Sequence, residues 1–388
     1  MEIKELYEQR LQRFDDTLSR KIPDRVPVIP NMGTWMYHAA GVSIKKAFTE
    51  DPNEIFKAAK YLNDNIVMDG LMSTSNTLPL RVANNIGEGI YVVDDKGVQI
   101  KGSGGHLMEP QEYPLMAQDP MKFFANVLIP RKFDIFQAPI EKKVDIIKQA
   151  YFDNIEYIKY NAGVNKRIEE ELGLPLIVRG TNFMSPDVVL DYLRDFVGIS
   201  LDVRRHSDEL LAATMALYDF IIEMFEDTIS PPNRKVLFSP LHLPTYLRPK
   251  DFKKQYLPYL EKYIKEFGEK RGYSLYFFME NDWMPYLDML SEHLPAHCKV
   301  LGLFEKGDLA EIKRRVGDQM VIMGGMPVEL LLLGSKEQVI DKCKELLDTL
   351  APGGNYIFST DKTLLTLSDG TPENVITACE YIATHGKY

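Results

Sequence analysis

The sequence predicts a mixed α/β protein, a (β/α)8 barrel (TIM barrel) that forms one domain from residues 1–388, with a β-hairpin inserted after the second strand. Two observations support this prediction. Apolar runs too short for buried helices recur along the chain, and amphipathic helical segments separate them. The runs are residues 25–30, 65–72, 174–180, 235–240, 275–279, 298–305, 319–325 and 354–359. Because parallel strands need crossover helices, eight such units close into a barrel.

A doubly wound open sheet is the alternative arrangement of the same elements. That fold places a glycine-rich phosphate loop after its first strand, and no G-x-G-x-x-G motif follows residues 25–30. The glycine pairs at 324–325 and 353–354 are typical of turns instead. The sequence therefore favours the barrel.

One segment interrupts the alternation of strands and helices. Residues 89–101 form two β-rich arms around the turn sequence at 94–97, which is typical of a hairpin. With the proline-rich connection that follows, it predicts an excursion over about 87–136 across one end of the barrel. Two roles of this excursion remain open: it is either a lid or a surface hairpin without function.

Composition narrows the class of protein. The chain has 388 residues and a formal net charge of −10, with no cluster of Lys and Arg, which argues against nucleic-acid binding. No run approaches the ~18 apolar residues of a membrane span, and the acidic start is unlike a signal peptide. We therefore expect a cytoplasmic protein that binds no membrane.

The three cysteines, Cys298, Cys343 and Cys379, lie far apart and form no C-x-x-C pair. This spacing excludes a disulfide scaffold and argues against a thiolate zinc site. Cys343 and Cys379 each fall within a helical pattern, and we predict that both are small core residues.

The carboxyl ends of barrel strands share one mouth, so the residues that follow each strand predict a pocket. They are Asn31, Trp35, His38, Ser73, Ser75, Asn76, Arg179, Asn182, His242, Glu280, Asn281, Asp282, Glu305, Met323, Met326, Ser359 and Asp361. Arg179 is the one arginine in this set, whereas carboxylates and amides prevail. Such a mouth suits an uncharged or cationic small molecule, a proton transfer, or a hard metal ion.

Glu280 is the first candidate for a catalytic group. A carboxyl group at the end of an apolar strand loses solvation, which prepares it for general acid work or for binding a cation. The structural alternative is a salt bridge to Arg179. Asp282 is a second candidate acid, and its alternative role is to cap the helix that follows.

Histidines at the predicted mouth are the other candidates. His242 lies between Leu241 and Leu243, where packing is the common role, yet with Glu280 it forms a plausible metal set. His38 presents the same choice between packing and binding.

Six segments resemble the uroporphyrinogen decarboxylase superfamily, which includes corrinoid-dependent methyltransferases, and together they span nearly the whole chain. They are residues 23–28, 174–180, 248–258, 323–335, 351–359 and 371–375, with Met323-Gly-Gly-Met-Pro327 among the strongest. The resemblance implies a (β/α)8 barrel, in agreement with the strand count.

The chain departs from true uroporphyrinogen decarboxylases in two loops. Those enzymes carry an R-Q-A-G-R motif after the first strand and an aspartate after the second. The corresponding loops here, 31–38 and 72–77, contain neither. A polycarboxylate porphyrinogen would therefore meet no cationic clamp.

The chain also departs from the superfamily's coenzyme M methyltransferases. Those have H-x-C-G after the fifth strand and a further cysteine after the eighth, which bind zinc. Phe278 and Glu280 stand at the first two positions here, and Ser359 lies near the third. The resemblance therefore implies that zinc or another divalent metal would bind without thiolate ligands. Its predicted ligands are Glu280 and His242.

The resemblance implies a methyltransferase that moves a methyl group between a small substrate and a corrinoid on a separate protein. In that reaction Glu280, His242 and Asp282 are the predicted catalytic residues. The predicted substrate-binding residues are Asn31, Trp35, His38, Asn76, Arg179, Asn182, Asn281 and Ser359. A decarboxylase of another substrate and a non-catalytic binding protein are the alternatives, and the resemblance also implies a homodimer.

Overall fold

The computed structural model describes residues 2–76, 79–87, 91–100, 107–225 and 236–388. A parallel sheet of six strands, paired in sequence order, forms most of the barrel wall. Its strands are β3 (Gly180–Thr181), β4 (Val236–Leu241), β5 (Ser274–Asp282), β6 (Val300–Lys306), β7 (Val321–Met326) and β8 (Tyr356–Thr360), which follow hairpin strands β1 (Tyr91–Asp94) and β2 (Gly97–Ile100).

Bridges between chain segments complete the ring. Val28 forms a parallel bridge with Phe358 of β8, and Leu71 forms one with Leu176 ahead of β3. The amide of Asp69 donates to the carbonyl of Val28 at 2.8 Å, which joins the first two segments. The predicted (β/α)8 barrel is confirmed, although its first three strands are mostly single bridges.

Prolines explain why the first strands are irregular. Pro27 and Pro30 have no amide hydrogen to donate, so the segment 25–30 makes isolated bridges instead of a regular ladder. Pro175 has the same effect ahead of β3. β5, in contrast, continues to Asp282, past the predicted end at residue 279.

Helices surround the ring, and many are short. They are α1 (Ile3–Leu18), α2 (Trp35–Ala40), α3 (Ile44–Thr49), α4 (Pro52–Asn65), α5 (Leu80–Asn85), α6 (Tyr113–Gln118), α7 (Pro120–Phe123), α8 (Ile129–Lys132), α9 (Ile140–Leu172), α10 (Ser185–Val188), α11 (Asp195–Arg205), α12 (Ser207–Phe225), α13 (Pro249–Gln255), α14 (Leu257–Tyr263), α15 (Leu287–His293), α16 (Leu309–Val316), α17 (Val328–Leu333), α18 (Lys336–Leu350) and α19 (Pro372–His385). Among the described helices, none is long and apolar enough to cross a membrane.

Single turns and wide turns join or extend these helices. The 3-10 turns are Pro110–Glu112, Asp134–Gln137, Pro244–Tyr246, Met284–Tyr286 and Leu367–Asp369. Three segments, Phe124–Leu128, Val189–Arg194 and Ile264–Lys270, are π-helical. The helical region from Pro249 to Lys270 is thereby divided into α13, α14 and a π-helical end.

Apolar side chains fill the interior of the barrel in layers. Ile29, Ile177, Tyr276, Leu303 and Ile357 belong to one buried cluster contributed by strands on all sides. Two larger clusters lie between the wall and the outer helices. Cys343 and Cys379 are buried in one of them, on α18 and α19, as predicted.

A buried ionic network ties the start of the chain to the amino end of the barrel. Asp69 is 1% exposed and accepts hydrogen bonds from Arg13 Nη1 at 2.5 Å and Arg25 Nη1 at 2.7 Å. The amide of Val28 donates to the same carboxylate at 2.8 Å. One carboxylate thus anchors α1 and the first two wall segments.

The predicted hairpin is present. β1 and β2 pair antiparallel, from Tyr91 with Ile100 to Asp94 with Gly97. Residues 88–90 and 101–106 of the predicted excursion lie outside the described residues, as do Thr77 of the loop 72–77 and Lys235 of the run 235–240.

Candidate active site

A cavity of about 360 Å³ opens at the carboxyl ends of the strands, which is the size range of small-molecule sites. Its polar lining consists of amide and hydroxyl side chains: Asn31, Thr34, Ser73, Ser75, Thr181 and Thr363. Among the described residues that line it, none carries a formal charge. The cavity therefore suits a small uncharged ligand.

Aromatic rings form one wall of this cavity. Phe183, Phe238, Tyr276 and Phe278 all line it, and the rings of Phe238 and Tyr276 lie 5.0 Å apart between centroids. Flat apolar walls of this kind bind aromatic or methylated groups through dispersion. Val98 of the hairpin lines the cavity as well, so the inserted hairpin contacts the site.

His242 follows β4 at the mouth and lies between two carboxylates. Its Nδ1 is 2.8 Å from Asp191 Oδ2, and its Nε2 is 3.3 Å from Glu280 Oε1. The side chains of all three residues are between 24% and 28% exposed. Glu280 lies two residues beyond Phe278, so the strand period places both side chains on the cavity face of β5.

The two carboxylates decide the protonation state of His242. Burial by itself lowers the pKa of the imidazole, but the hydrogen bonds to Asp191 and Glu280 outweigh it and raise the pKa to about 11. The ring is therefore an imidazolium at neutral pH, with a proton on each nitrogen. The mouth of the barrel therefore holds a proton donor that does not itself line the cavity; Glu280, its partner, follows the lining residue Phe278 by two positions on β5.

A second buried acid supports the position of His242. Asp187 Oδ1 accepts from the amide of Leu243 at 2.8 Å, and Asp187 Oδ2 accepts from the hydroxyl of Tyr256 at 2.5 Å. Burial raises the pKa of Asp187 to about 7, even though the positive charge of His242 and these donors lower it. The contact with Leu243 fixes the backbone next to the imidazole.

Asp187 and Asp191 were not among the sequence candidates. They lie on α10 and on the π-helical segment Val189–Arg194, whereas the candidates were predicted at the ends of the strands. A signal was present, since the two acids are four residues apart in an otherwise apolar helical segment and share one face.

The loop after Glu280 has a fixed conformation. Asn281 adopts a left-handed backbone conformation with φ of 58°, and its amide donates to Glu305 Oε2 at 2.8 Å. Its side-chain amide donates to the hydroxyl of Tyr246 at 3.1 Å. Asp282 Oδ1 accepts from the amide of Met284 at 2.9 Å, two residues ahead at the start of the 3-10 turn, although Asp282 is not the N-cap residue of that turn or of α15.

Asn31, Asn182 and Ser359 lie at or near the barrel interior. Asn31 lines the cavity and donates to Thr363 Oγ1 at 2.9 Å. Asn182 is 2% exposed and Ser359 is fully buried. Within the described structure, neither amide atom of Asn182 nor the Ser359 hydroxyl has a hydrogen-bond partner. Buried polar groups in this state commonly bind water or ligand.

Three other candidates are held by contacts elsewhere in the fold. Trp35 is fully buried in an outer cluster and its Nε1 donates to the carbonyl of Gly370 at 2.8 Å. Asn76 donates to Asn161 of α9 at 3.0 Å. Arg179 pairs with Glu169 of α9 at 2.5 Å, so it is not the partner of Glu280.

His38 lies on α2, and its Nε2 is buried without a partner among the described residues. Met323 belongs to the interior cluster, whereas Met326 lies in an outer one. Glu305 and Asp361 line a separate cavity of about 560 Å³ between β6, β7 and α18. Burial raises the pKa of Asp361, which accepts from the amide of Val328 at 3.0 Å.

The donors at the mouth do not fit the implied metal. His242 Nε2 and Glu280 Oε1 lie 3.3 Å apart and supply two candidate ligand atoms, whereas a zinc site in a protein uses at least three side-chain ligands, and no third His, Cys, Asp or Glu atom of the described residues joins them. Cys343 and Cys379 lie on outer helices, and burial raises the pKa of Cys343 to about 12. A thiolate or imidazole zinc site is therefore not supported by the side chains that surround the cavity.

One group of metal-compatible side chains lies at the opposite end of the barrel. Glu269, His297 and Cys298 bring ligand atoms within 4.8 Å of one another just ahead of β6. Glu269 and His297 form an exposed ion pair with atoms 3.3 Å apart. This group is unrelated to the cavity at the mouth.

A model of the uroporphyrinogen decarboxylase (URO-D) family matches residues 133–384 of the chain. No curated protein matches it. Among solved structures, a methyltransferase from Methanosarcina mazei superposes with a TM-score of 0.63 at 13% sequence identity, over 96% of this chain and 97% of that chain. At this level of identity the likeness concerns the fold.

Proposed function

Because the chain belongs to the uroporphyrinogen decarboxylase family, we propose that it is a methyltransferase that demethylates a small uncharged methyl ether. The methyl acceptor is a corrinoid that a separate protein carries to the mouth of the barrel. The observation that supports this proposal is the imidazolium of His242, held between Asp191 and Glu280, where Glu280 lies two residues along β5 from Phe278 in the lining of a neutral, aromatic cavity. The methyltransferase fold of the solved relative agrees with it.

A methyl ether needs an acid because its leaving group is a poor one. When the carbon–oxygen bond breaks, the bonding electron pair stays on the oxygen, and the methyl group is transferred to an external nucleophile. A proton from His242 converts the departing alkoxide or phenoxide into a neutral alcohol or phenol. A bound corrinoid would supply that nucleophile. General acid catalysis by a positioned side chain contributes about 10²–10⁴-fold in rate.

The geometry indicates which proton is transferred. The contact from Nε2 to Glu280 is 3.3 Å long, whereas that from Nδ1 to Asp191 is 2.8 Å. The Nε2 proton is the less tightly held of the two, and Glu280 lies on the cavity face of β5. Asp191 keeps the ring in place and compensates its charge while the Nε2 proton moves.

The lining of the cavity supports this class of substrate. Its aromatic wall favours a planar or methyl-bearing group, and its amide and hydroxyl groups satisfy neutral polar substituents. A polycarboxylate would meet no lining cation, and a quaternary ammonium would need no proton from His242. A methyl ether on a small aromatic ring meets both conditions.

The proposal is tested by incubating the purified protein with cob(I)alamin and a set of aryl methyl ethers, and by following methylcobalamin formation spectroscopically. We expect transfer by the wild type, a loss of about 100-fold or more in His242→Asn, and a clear loss in Glu280→Gln. Asp282→Asn is the matched control, because its amide oxygen still accepts from the amide of Met284, and it should stay near wild type.

Two results would reject the proposal. The first is the absence of transfer from all ethers together with equal behaviour of the wild type and Glu280→Gln. The second is release of CO₂ from a carboxylated substrate by the protein alone, without corrinoid, which would favour a decarboxylase.

A further inference from the structure

A glutamate, a histidine and a cysteine meet at the amino end of the barrel, opposite the mouth. Glu269 lies in the π-helical segment Ile264–Lys270 ahead of β5, and His297 and Cys298 are consecutive residues ahead of β6. One ligand atom from each of the three lies within 4.8 Å of the other two. All three side chains are of types that bind zinc in proteins. The reaction proposed at the mouth uses none of them.

The separations suit one tetrahedral ion. His297 Nε2 lies 3.3 Å from Glu269 Oε1. Zinc binds imidazole nitrogen and carboxylate oxygen at about 2.0–2.2 Å, so two such ligands at the tetrahedral angle lie about 3.3–3.5 Å apart. A thiolate sulfur in the same geometry lies about 3.5–3.7 Å from either atom. The side chain of His297 is 69% exposed, so its ring is free to rotate and close the remaining gap to the sulfur.

The sulfur of Cys298 is buried next to this pair. Cys298 is 3% exposed, and its free thiol makes no hydrogen bond within the part of the chain that the structure describes. A Cβ placed on Gly268 would lie 3.2 Å from that sulfur, so a glycine gives the thiol its position beside the backbone that leads into Glu269. A thiol without a polar partner, with a carboxylate and an imidazole within reach, is well placed to bind a borderline cation.

Backbone contacts hold the two consecutive ligands in place. Arg20 donates from Nη1 to the carbonyl of Ala296 and from Nη2 to the carbonyl of Cys298, so one guanidinium fixes the carbonyls on both sides of His297. The amide of Cys298 donates to the carbonyl of Pro295 at 3.1 Å. The loop is therefore ordered before any ion binds, which lowers the entropy cost of binding.

We propose that Glu269, His297 and Cys298 form a binding site for a divalent ion of the zinc type, for which mixed sulfur, nitrogen and oxygen ligands are usual. On binding, the Cys298 thiol loses its proton to solvent and His297 binds in its neutral form. The carboxylate and the thiolate together carry two negative charges, which balance the charge of the ion. Three side chains leave the fourth coordination position to water. The ion ties the segment before β5 to the segment before β6.

The test is metal binding by the full-length chain after reduction and treatment with a chelator. Co²⁺ is the probe, because a thiolate ligand gives it a sulfur-to-metal charge-transfer band in the near ultraviolet. We expect one Co²⁺ per chain, which Zn²⁺ displaces, and loss of the charge-transfer band in Cys298→Ser. Glu269→Gln and His297→Asn should each raise the dissociation constant at least about tenfold.

His293→Asn is the matched control. His293 also pairs with an acid, Glu261, but no cysteine joins them in a metal-compatible group among the described residues. This variant should bind Co²⁺ like the wild type. Because the side chain of His297 is exposed, His297→Asn tests the site even where Cys298→Ser does not fold. Zn²⁺ should raise the unfolding temperature of the wild type and of His293→Asn but not that of His297→Asn.

Three results would overturn the proposal. One is a wild-type chain that shows no charge-transfer band with Co²⁺. Another is a band of equal strength in Cys298→Ser. The third is Co²⁺ binding that His242→Asn abolishes and His297→Asn leaves intact, because the ion would then bind at the mouth.

Discussion

At the scale of single residues, His242 owes its charge to its two neighbours. Burial lowers the pKa of the imidazole. Asp191 accepts a hydrogen bond from Nδ1 and Glu280 accepts one from Nε2, and together these two contacts outweigh burial and raise the pKa. A histidine in this arrangement carries its proton across the neutral pH range. The proposed mechanism therefore uses His242 as the acid, whereas the sequence made Glu280 the first candidate.

The raised pKa of His242 makes the stability of the protein depend on pH. A group whose folded pKa lies above its unfolded value stabilises the fold fully below the unfolded value, here 6.5, and loses that contribution as pH rises towards about 11. The stability advantage of wild type over His242→Gln should therefore shrink from pH 6 to pH 10, by at most about 1.4 kcal/mol per pH unit. Urea denaturation at pH 6, 8 and 10 measures it, and an advantage that stays constant would contradict this protonation state.

Asp69 is the residue whose loss should cost the most stability at the amino end of the barrel. Asp69→Asn would leave Arg13 and Arg25 buried without their anion, and we expect a loss of about 3–5 kcal/mol in the free energy of unfolding. Asp24→Asn is the matched control, since Asp24 also pairs with Arg13 but its side chain is 61% exposed. It should cost about 1 kcal/mol or less. Equal losses in the two variants would show that burial of the network is not the cause.

At the scale of elements, the hairpin β1–β2 is part of the site and not only a surface excursion. Val98 of β2 lines the cavity, whereas the strand period turns Gln99 to the opposite face. Val98→Asp introduces a charge into a neutral wall and should raise KM for the ether about tenfold or more, with a smaller effect on kcat. Gln99→Asp is the control on the same strand. The idea fails if both substitutions change KM equally.

The elements also show what the sequence can and cannot predict. Runs such as 274–282 and 321–326 are apolar, rich in branched or aromatic residues and bounded by turns, so β5 and β7 are readable from the sequence alone. The wall segments at 28 and 71 are held by long-range bridges that local pattern does not encode. Asp191 was not predicted because it lies in a π-helical segment beyond the end of β3, and its one local signal is its spacing of four residues from Asp187.

At the scale of the whole molecule, the barrel brings together groups that are far apart in the chain. Asp191, His242 and Glu280 come from three successive β/α units and meet only because their strands are neighbours in the ring. The position of the site at the strand ends could therefore be predicted from the fold. The pairing within it could not, because it depends on side-chain directions that only the assembled barrel fixes.

The central claim is that His242 protonates the leaving oxygen during methyl transfer. It is tested most directly by measuring transfer rates for a series of aryl methyl ethers whose phenols differ in pKa, with the wild type and with His242→Asn. If the acid operates, the wild-type rate depends weakly on leaving-group pKa, and the variant shows a steep decline towards the more basic phenols. Equally steep dependence in both proteins would contradict the account.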